Sequence, residues 1–151
     1  MKKEFSSIVE LKSIRERKKQ LTERENELTS PLLEDLSVIP MLYDWFKEIL
    51  ADLSCPPNVD SVTQRKKFLF IVLFLYSPNA LAGGRLPNGI RNKLSEIFKE
   101  LSPCSISQNI ADVFFIYQQY KDFRNDIESL YSAILVRLRQ EKVICHNEAE
   151  L

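Results

Sequence analysis

The stretch SVTQRKKFLFIVLFLY, residues 61–76, admits two secondary structures, and the choice between them sets the fold class. By residue type alone, the nine apolar and aromatic residues from Phe68 to Tyr76 suit a buried β-strand. Yet the run continues without Gly or Pro from a segment that opens like a helix. Ser61 stands three residues before Gln64, the spacing of a capping box. One helix is therefore expected, basic at its start (Arg65, Lys66, Lys67) and apolar on every side thereafter, which places it at the centre of a bundle. A membrane span needs roughly 20 apolar residues, so this run is assigned to a protein core.

The flanking segments supply helices to surround it. Upstream, Leu42, Trp45, Phe46, Ile49, Leu50 and Leu53 recur at spacings of 3, 1, 3, 1 and 3, one broad face of an amphipathic helix. Pro40 suits its first turn, Trp45 is read as a core anchor, and Cys55-Pro56-Pro57-Asn58 forces an exit from helix. Downstream, residues 77–89 (SPNALAGGRLPNG) hold all three glycines, Gly83, Gly84 and Gly89, and are expected to form a loop with positive φ or close backbone approach. They lack the Gly-Lys-Ser/Thr ending of a nucleotide-binding loop. Helical stretches follow at about 90–101, 103–118 and 124–141. The last carries Ile127, Leu130, Tyr131, Ile134, Leu135 and Leu138 on one face.

Residues 4–29 contain no Pro or Gly and are rich in Glu, Lys, Arg and Leu, which favours helix. Ile14, Leu21 and Leu28 repeat every seven residues, after Ile8 and Leu11, but Lys18 and Glu25 fill the other register, so the coiled-coil-like stripe is one residue wide. Ser30-Pro31 ends this helix. The expected fold is all-α: a compact helical bundle from about 32 to 141 with a protruding N-terminal helix. The organisation is an arm over 1–30, a helical domain over 31–142, and a frayed tail over 143–151.

Composition narrows the function classes. With 151 residues, 44% of them hydrophobic and 28% charged, the chain suits one globular domain with appendages. Cys55, Cys104 and Cys145 are odd in number and far apart, which points to reduced thiols and a cytoplasmic setting. The charged start, Met1-Lys2-Lys3-Glu4, does not read as a signal peptide. Only one histidine, His146, is present, and no ligand-like spacing surrounds it. No enzymatic activity, metal, cofactor, small-molecule substrate or membrane is expected. Net charge is zero, but its distribution is uneven. Residues 1–20 carry seven basic against three acidic residues, 21–60 two against nine, 61–124 nine against four, and 125–151 three against five. The basic block over 61–124 contains the most motif-like part of the chain, although charge blocks are also ordinary solvated faces.

That part is IRNKLSEIFKELSPCSISQNI, residues 90–110. A short helix with Leu94, Ile97, Phe98 and Leu101 on its apolar face leads through a tight connection to a second helix. Ser102 serves as the second helix's cap and Pro103 its first residue. Ile106, Ile110, Val113, Phe114 and Tyr117 face inward from it. The segment resembles the helix-turn-helix of phage and bacterial DNA-binding proteins, with Ser102-Pro103-Cys104-Ser105-Ile106-Ser107 and then Ile110 opening a recognition helix. The resemblance covers 21 residues and implies that Ser102, Cys104, Ser105, Gln108 and Asn109 meet phosphates or base edges. Arg85, Arg91, Lys93, Lys99, Lys121 and Arg124 would flank that surface. It further implies a DNA-binding regulator or packaging-type subunit of a phage or mobile element. Because one such helix reads few base pairs, a homo-oligomer joined through the N-terminal helix would follow.

Two departures stand out: Lys99-Glu100 occupies a turn where many members have a single glycine, and Asp112 adds a negative charge to a helix with no Lys or Arg. A plain structural hairpin is the alternative, and with it a helical protein–protein interaction module that engages partners through its arm or its acidic 21–60 segment. Phe115 and Tyr120 fall off the buried stripe beside Lys121 and Arg124, and rings so placed are candidates for stacking on single-stranded bases.

Overall fold

A computed structural model describes residues 4–58, 61–99 and 101–144. The chain divides into two units, Met1–Ser30 and Pro31–Leu151. Seven α-helices and one 3₁₀ turn, with no strand, make up the described residues, and the fold is all-α. The helices are α1 (Ser6–Thr29), α2 (Ile39–Ala51), α3 (Val62–Tyr76), α4 (Pro78–Leu81), α5 (Asn88–Ile97), α6 (Pro103–Gln119) and α7 (Lys121–Gln140). Among the described residues, no helix is long and apolar enough to cross a membrane.

The first unit is α1 alone. Its composition makes it helical, an Arg24–Glu27 ion pair at 3.0 Å adds local support, and the Thr29 hydroxyl donates back to the Glu25 carbonyl at 2.9 Å. None of its residues is buried; Ile8, Leu11, Ile14, Leu21 and Leu28 are all exposed.

In the second unit, α3 packs against α2, α4, α6 and α7, which is what an apolar helix requires. The strand alternative for Phe68–Tyr76 is thereby set aside in favour of helix. The capping box forms only halfway. Ser61 Oγ accepts from the Gln64 backbone N–H at 3.3 Å, but the Ser61 N–H donates to the Asn58 carbonyl, and Gln64 Oε1 has no partner. Phe68 is fully buried, with ring centroids 5.0 Å from Tyr43, 5.3 Å from Phe46 and 5.8 Å from Phe98. Burying one such ring contributes about 1.5–3 kcal/mol. The helix is not buried on every side, however. Phe74 is 47% exposed and meets Tyr131 edge-on at 5.2 Å.

The segment before α2 is tied to the end of α3. Leu32 and Leu33 donate backbone N–H groups to the Leu75 carbonyl at 2.9 and 3.0 Å, and the Tyr76 hydroxyl donates to the Asp35 carbonyl at 2.6 Å. Burial raises the Tyr76 phenol far above its ordinary range, and the nearby Asp35 carboxylate adds to that shift. Trp45 is half-buried against the core. Leu53, grouped with the α2 face by its spacing, lies beyond the helix end and is exposed, because α2 stops at Ala51.

The glycine loop is shorter than its sequence suggests, since α4 occupies Pro78–Leu81 and α5 begins at Asn88. Gly83 adopts φ +102°, and a Cβ on Gly84 would stand 2.2 Å from Asn79 Nδ2. At the other end Val143 and Ile144, expected to fray, are held in place. The Val143 N–H donates to the Leu138 carbonyl at 2.9 Å, and Ile144 is buried in the core. Apolar contact holds these two residues in place. Cys145 and His146, with the remainder of the tail, lie outside the described residues.

Candidate nucleic-acid interface

Helices α5 and α6 form the hairpin that the sequence outlines. Leu94 and Phe98 from the first side and Ile106, Ile110 and Val113 from the second are buried in the common core. The connection turns tightly: Phe98 N–H donates to the Leu94 carbonyl, Leu101 N–H to the Phe98 carbonyl, and the Ser95 hydroxyl to the Leu101 carbonyl at 3.0 Å. Glu100, within it, lies outside the described residues. Ser102 caps α6 with extended backbone, its Oγ accepting from the Ser105 N–H at 3.2 Å, and Pro103 occupies the first turn.

The buried stripe leaves an opposite one in solvent. Cys104, Gln108, Ala111, Asp112 and Phe115 are exposed along α6. Gln108 sits on this stripe with its Nε2 3.7 Å from Cys104 Sγ, a weak contact that leaves the amide free to bond elsewhere. Asn109 is placed differently. It is half-buried at the stripe's edge and donates from Nδ2 to the Ser105 carbonyl of its own helix at 2.7 Å. Ser105, also half-buried, shares a 3.0 Å hydroxyl contact with Ser102.

Two hollows run along the flanks of this stripe. One, of about 450 Å³, lies between α6 and the glycine loop and includes Arg85, Arg91, Ser107 and Ala111 in its wall. There Arg91 donates to the Leu86 carbonyl at 3.4 Å, while Arg91 Nε and Ser107 Oγ are buried without a partner. The opposite hollow, of about 210 Å³, includes Arg65, Lys66 and Asn109. Lys66 Nζ stands 2.6 Å from Asp112 Oδ2. The acid that disturbs the resemblance is therefore neutralised by a cation from α3. Arg65 and Lys66 stand beside the candidate site although the motif did not supply them. Their signal was the basic opening of 61–76, which reads as an ordinary helix start until α3 is laid beside α6.

The remaining basic residues divide. Lys99 is exposed just before the N-terminus of α6. Lys93 pairs with Glu96 on α5 at 3.6 Å. Lys121 and Arg124 lie past the opposite end of α6, about 25 Å from its start at 1.5 Å per residue. Arg124 donates to the Gln118 carbonyl at 3.4 Å and lies 5.8 Å from the Tyr117 ring centre. Of the neighbouring rings, Phe115 and Tyr120 are 55% and 59% exposed, whereas Phe114 and Tyr117 are half-buried and Phe123 is buried. Among the described residues, no three His, Cys, Asp or Glu side chains gather as a metal site.

An α-helix with its side chains is about 10–12 Å across, and the major groove of B-DNA is about 12 Å wide. The exposed stripe of α6 is mixed, with Gln108 beside Ala111, Asp112 and Phe115, and it has Arg85 and Arg91 along one flank and the Asp112-paired Lys66 along the other. No protein-family model, no curated protein and no solved structure matches the chain, so this geometry is the ground on which a function can be argued.

Proposed function

We propose that the chain is a helix-turn-helix protein that binds double-stranded DNA through α6, of the kind that serves a phage or mobile element as a regulator or packaging-type subunit. The observation that carries this reading is the exposed stripe of α6, with Gln108 on it and the cations Arg85 and Arg91 in the hollow along one flank, while along the other flank Lys66 offsets the charge of Asp112. Gln108 is the side chain best placed to read a base, since an amide can bond adenine at two points. Asn109 is engaged with its own helix, and Ser102 and Ser105 serve the helix start, where backbone N–H groups favour a phosphate. Lys99 extends that cationic rim, and Lys121 and Arg124 would meet backbone only at the distal end. Self-association through Ile14, Leu21 and Leu28 of α1 would double the short footprint of a single α6.

Fluorescence anisotropy of the full chain against a random-sequence duplex, at low and moderate salt, tests this. Phosphate contacts make affinity fall steeply with salt, with a slope of about 0.9 per phosphate neutralised. Arg85→Ala with Arg91→Ala should weaken binding and flatten that slope by nearly two such contacts. Failure to bind at low salt, or binding indifferent to salt, would sink the assignment.

A second reading rests on α1 and the residue before it, where Phe5, Ile8, Leu11 and Ile14 are all exposed. Under it the chain is a helical interaction module that engages a protein through its arm, and α5–α6 is a structural hairpin. An anisotropy experiment without DNA binding, followed by sedimentation showing a monomer, favours this second reading.

A further inference from the structure

A cleft of about 430 Å³ lies among α2, α3 and α7, and no residue of α6 lines it. Its size falls within the roughly 300–1,000 Å³ of small-molecule sites. Three features of its wall are chemically distinct. Gln64 is 6% exposed, and its Oε1 is buried without a hydrogen-bond partner. A buried acceptor left in that state is costly unless a donor reaches it. Beside it, the buried Lys67 places Nζ 2.8 Å from Asp126 Oδ2, the carboxylate being more than half exposed. The two charges cancel, yet each group keeps bonding capacity: further protons on the ammonium and further lone pairs on the carboxylate. The third feature is an aliphatic wall of Leu50, Leu53 and Leu130, in which Leu53 is left exposed at the rim.

We propose that this cleft binds a small zwitterion bearing an apolar side chain, an aliphatic or aromatic α-amino acid. Its ammonium group donates to Gln64 Oε1 and Asp126, its carboxylate accepts from Lys67, and its side chain covers Leu53, the leucine left exposed at the rim. Each part excludes a simpler ligand. A plain anion offers no donor to Gln64 Oε1. A plain cation can bond Asp126 only in competition with Lys67, whose ammonium it leaves without a second acceptor. A hydrocarbon leaves both polar groups unanswered. The site stands apart from α6 and does not depend on what that helix binds.

Titration of the full chain with L-leucine and L-phenylalanine, followed by calorimetry and by amide chemical shifts, tests the proposal. 4-Methylpentanoate and 3-methylbutylamine each lack one charge and should bind about ten- to a hundredfold more weakly, the loss of a charge-assisted hydrogen bond. Gln64→Met keeps the shape and removes the acceptor, so it should weaken the amino acids by a similar factor without lowering the unfolding midpoint. Ser129→Trp, at an exposed position on the cleft wall, should block binding and leave the fold intact. Three outcomes overturn the proposal: no response to either amino acid, equal binding of the singly charged analogues, or unaltered binding by both variants.

Discussion

Helices α1 and α3 are both free of glycine and proline, yet one buries nothing and the other buries ten of its fifteen residues. Composition alone makes a helix of either. What separates them is the width of the apolar surface. In α1 it is a single residue per turn pair, hemmed by Lys18 and Glu25, whereas in α3 it wraps most of the circumference. Isolated helices are marginal in water, and most helical stability in proteins comes from packing of an apolar face. The second unit therefore holds α3 through its neighbours, while the apolar stripe of α1 is left exposed.

Single substitutions should separate the two regions most sharply at the centre of α3. Phe68→Ala removes a fully buried ring from contact with Tyr43, Phe46 and Phe98. It should cost about 3–5 kcal/mol in urea-induced unfolding. At the C-terminal end of the same helix, Tyr76→Phe should cost about 1 kcal/mol by deleting the hydroxyl's bond to the Asp35 carbonyl. This variant also carries a pH signature. The folded phenol is held neutral above its ordinary range, while the unfolded chain ionises near pH ~10. Its contribution is thus complete below that pH and is lost as pH rises further. Unfolding midpoints measured across the alkaline range should fall less steeply in Tyr76→Phe, with the raised Tyr131 phenol contributing a residual slope of the same sign.

An intermediate case is α6, packed on one face only. Ser102→Ala removes its cap and should cost about 1 kcal/mol by thermal unfolding. The smallest stability effect belongs to α1. Leu21→Ala with Leu28→Ala should leave the unfolding of the second unit within about 0.5 kcal/mol of the parent, as surface changes do. The same pair should lower the sedimenting mass if α1 is the self-association surface; an unchanged mass would remove α1 from that role.

Much of the architecture was legible along the chain because it depends on local pattern. The 3, 1, 3, 1, 3 spacing that opens at Leu42 marked α2, and the apolar sets of α6 and α7 marked their buried faces. Ser61 and Ser102 announced two helix starts that their side chains do cap. The misjudged places are those where a distant segment intervenes: Ile144 is buried by core contact, Leu53 falls past a helix end, and Phe74 reaches solvent beside Tyr131.

The candidate site was legible only in part. Ser102, Cys104, Ser105, Gln108 and Asn109 were grouped from sequence neighbourhood, but helical geometry sets Gln108 on the exposed stripe and turns Asn109 back to Ser105. Arg65 and Lys66 lie some forty residues away and join the α6 flank only because α3 packs there.

What the sequence by itself determined, then, is the helical class, the cap residues Ser61 and Ser102 and the inward faces of α2, α6 and α7, since these follow from side-chain spacing over one or two turns. The tertiary structure alone decided the partners of adjacent polar residues. Lys66 and Lys67 are neighbours in the chain, yet one reaches Asp112 on α6 and the other Asp126 on α7. Successive helical residues point about 100° apart, so the two lysines enter different clefts. Which carboxylate waits in each is set by how three helices pack, a relation that no local window of sequence contains.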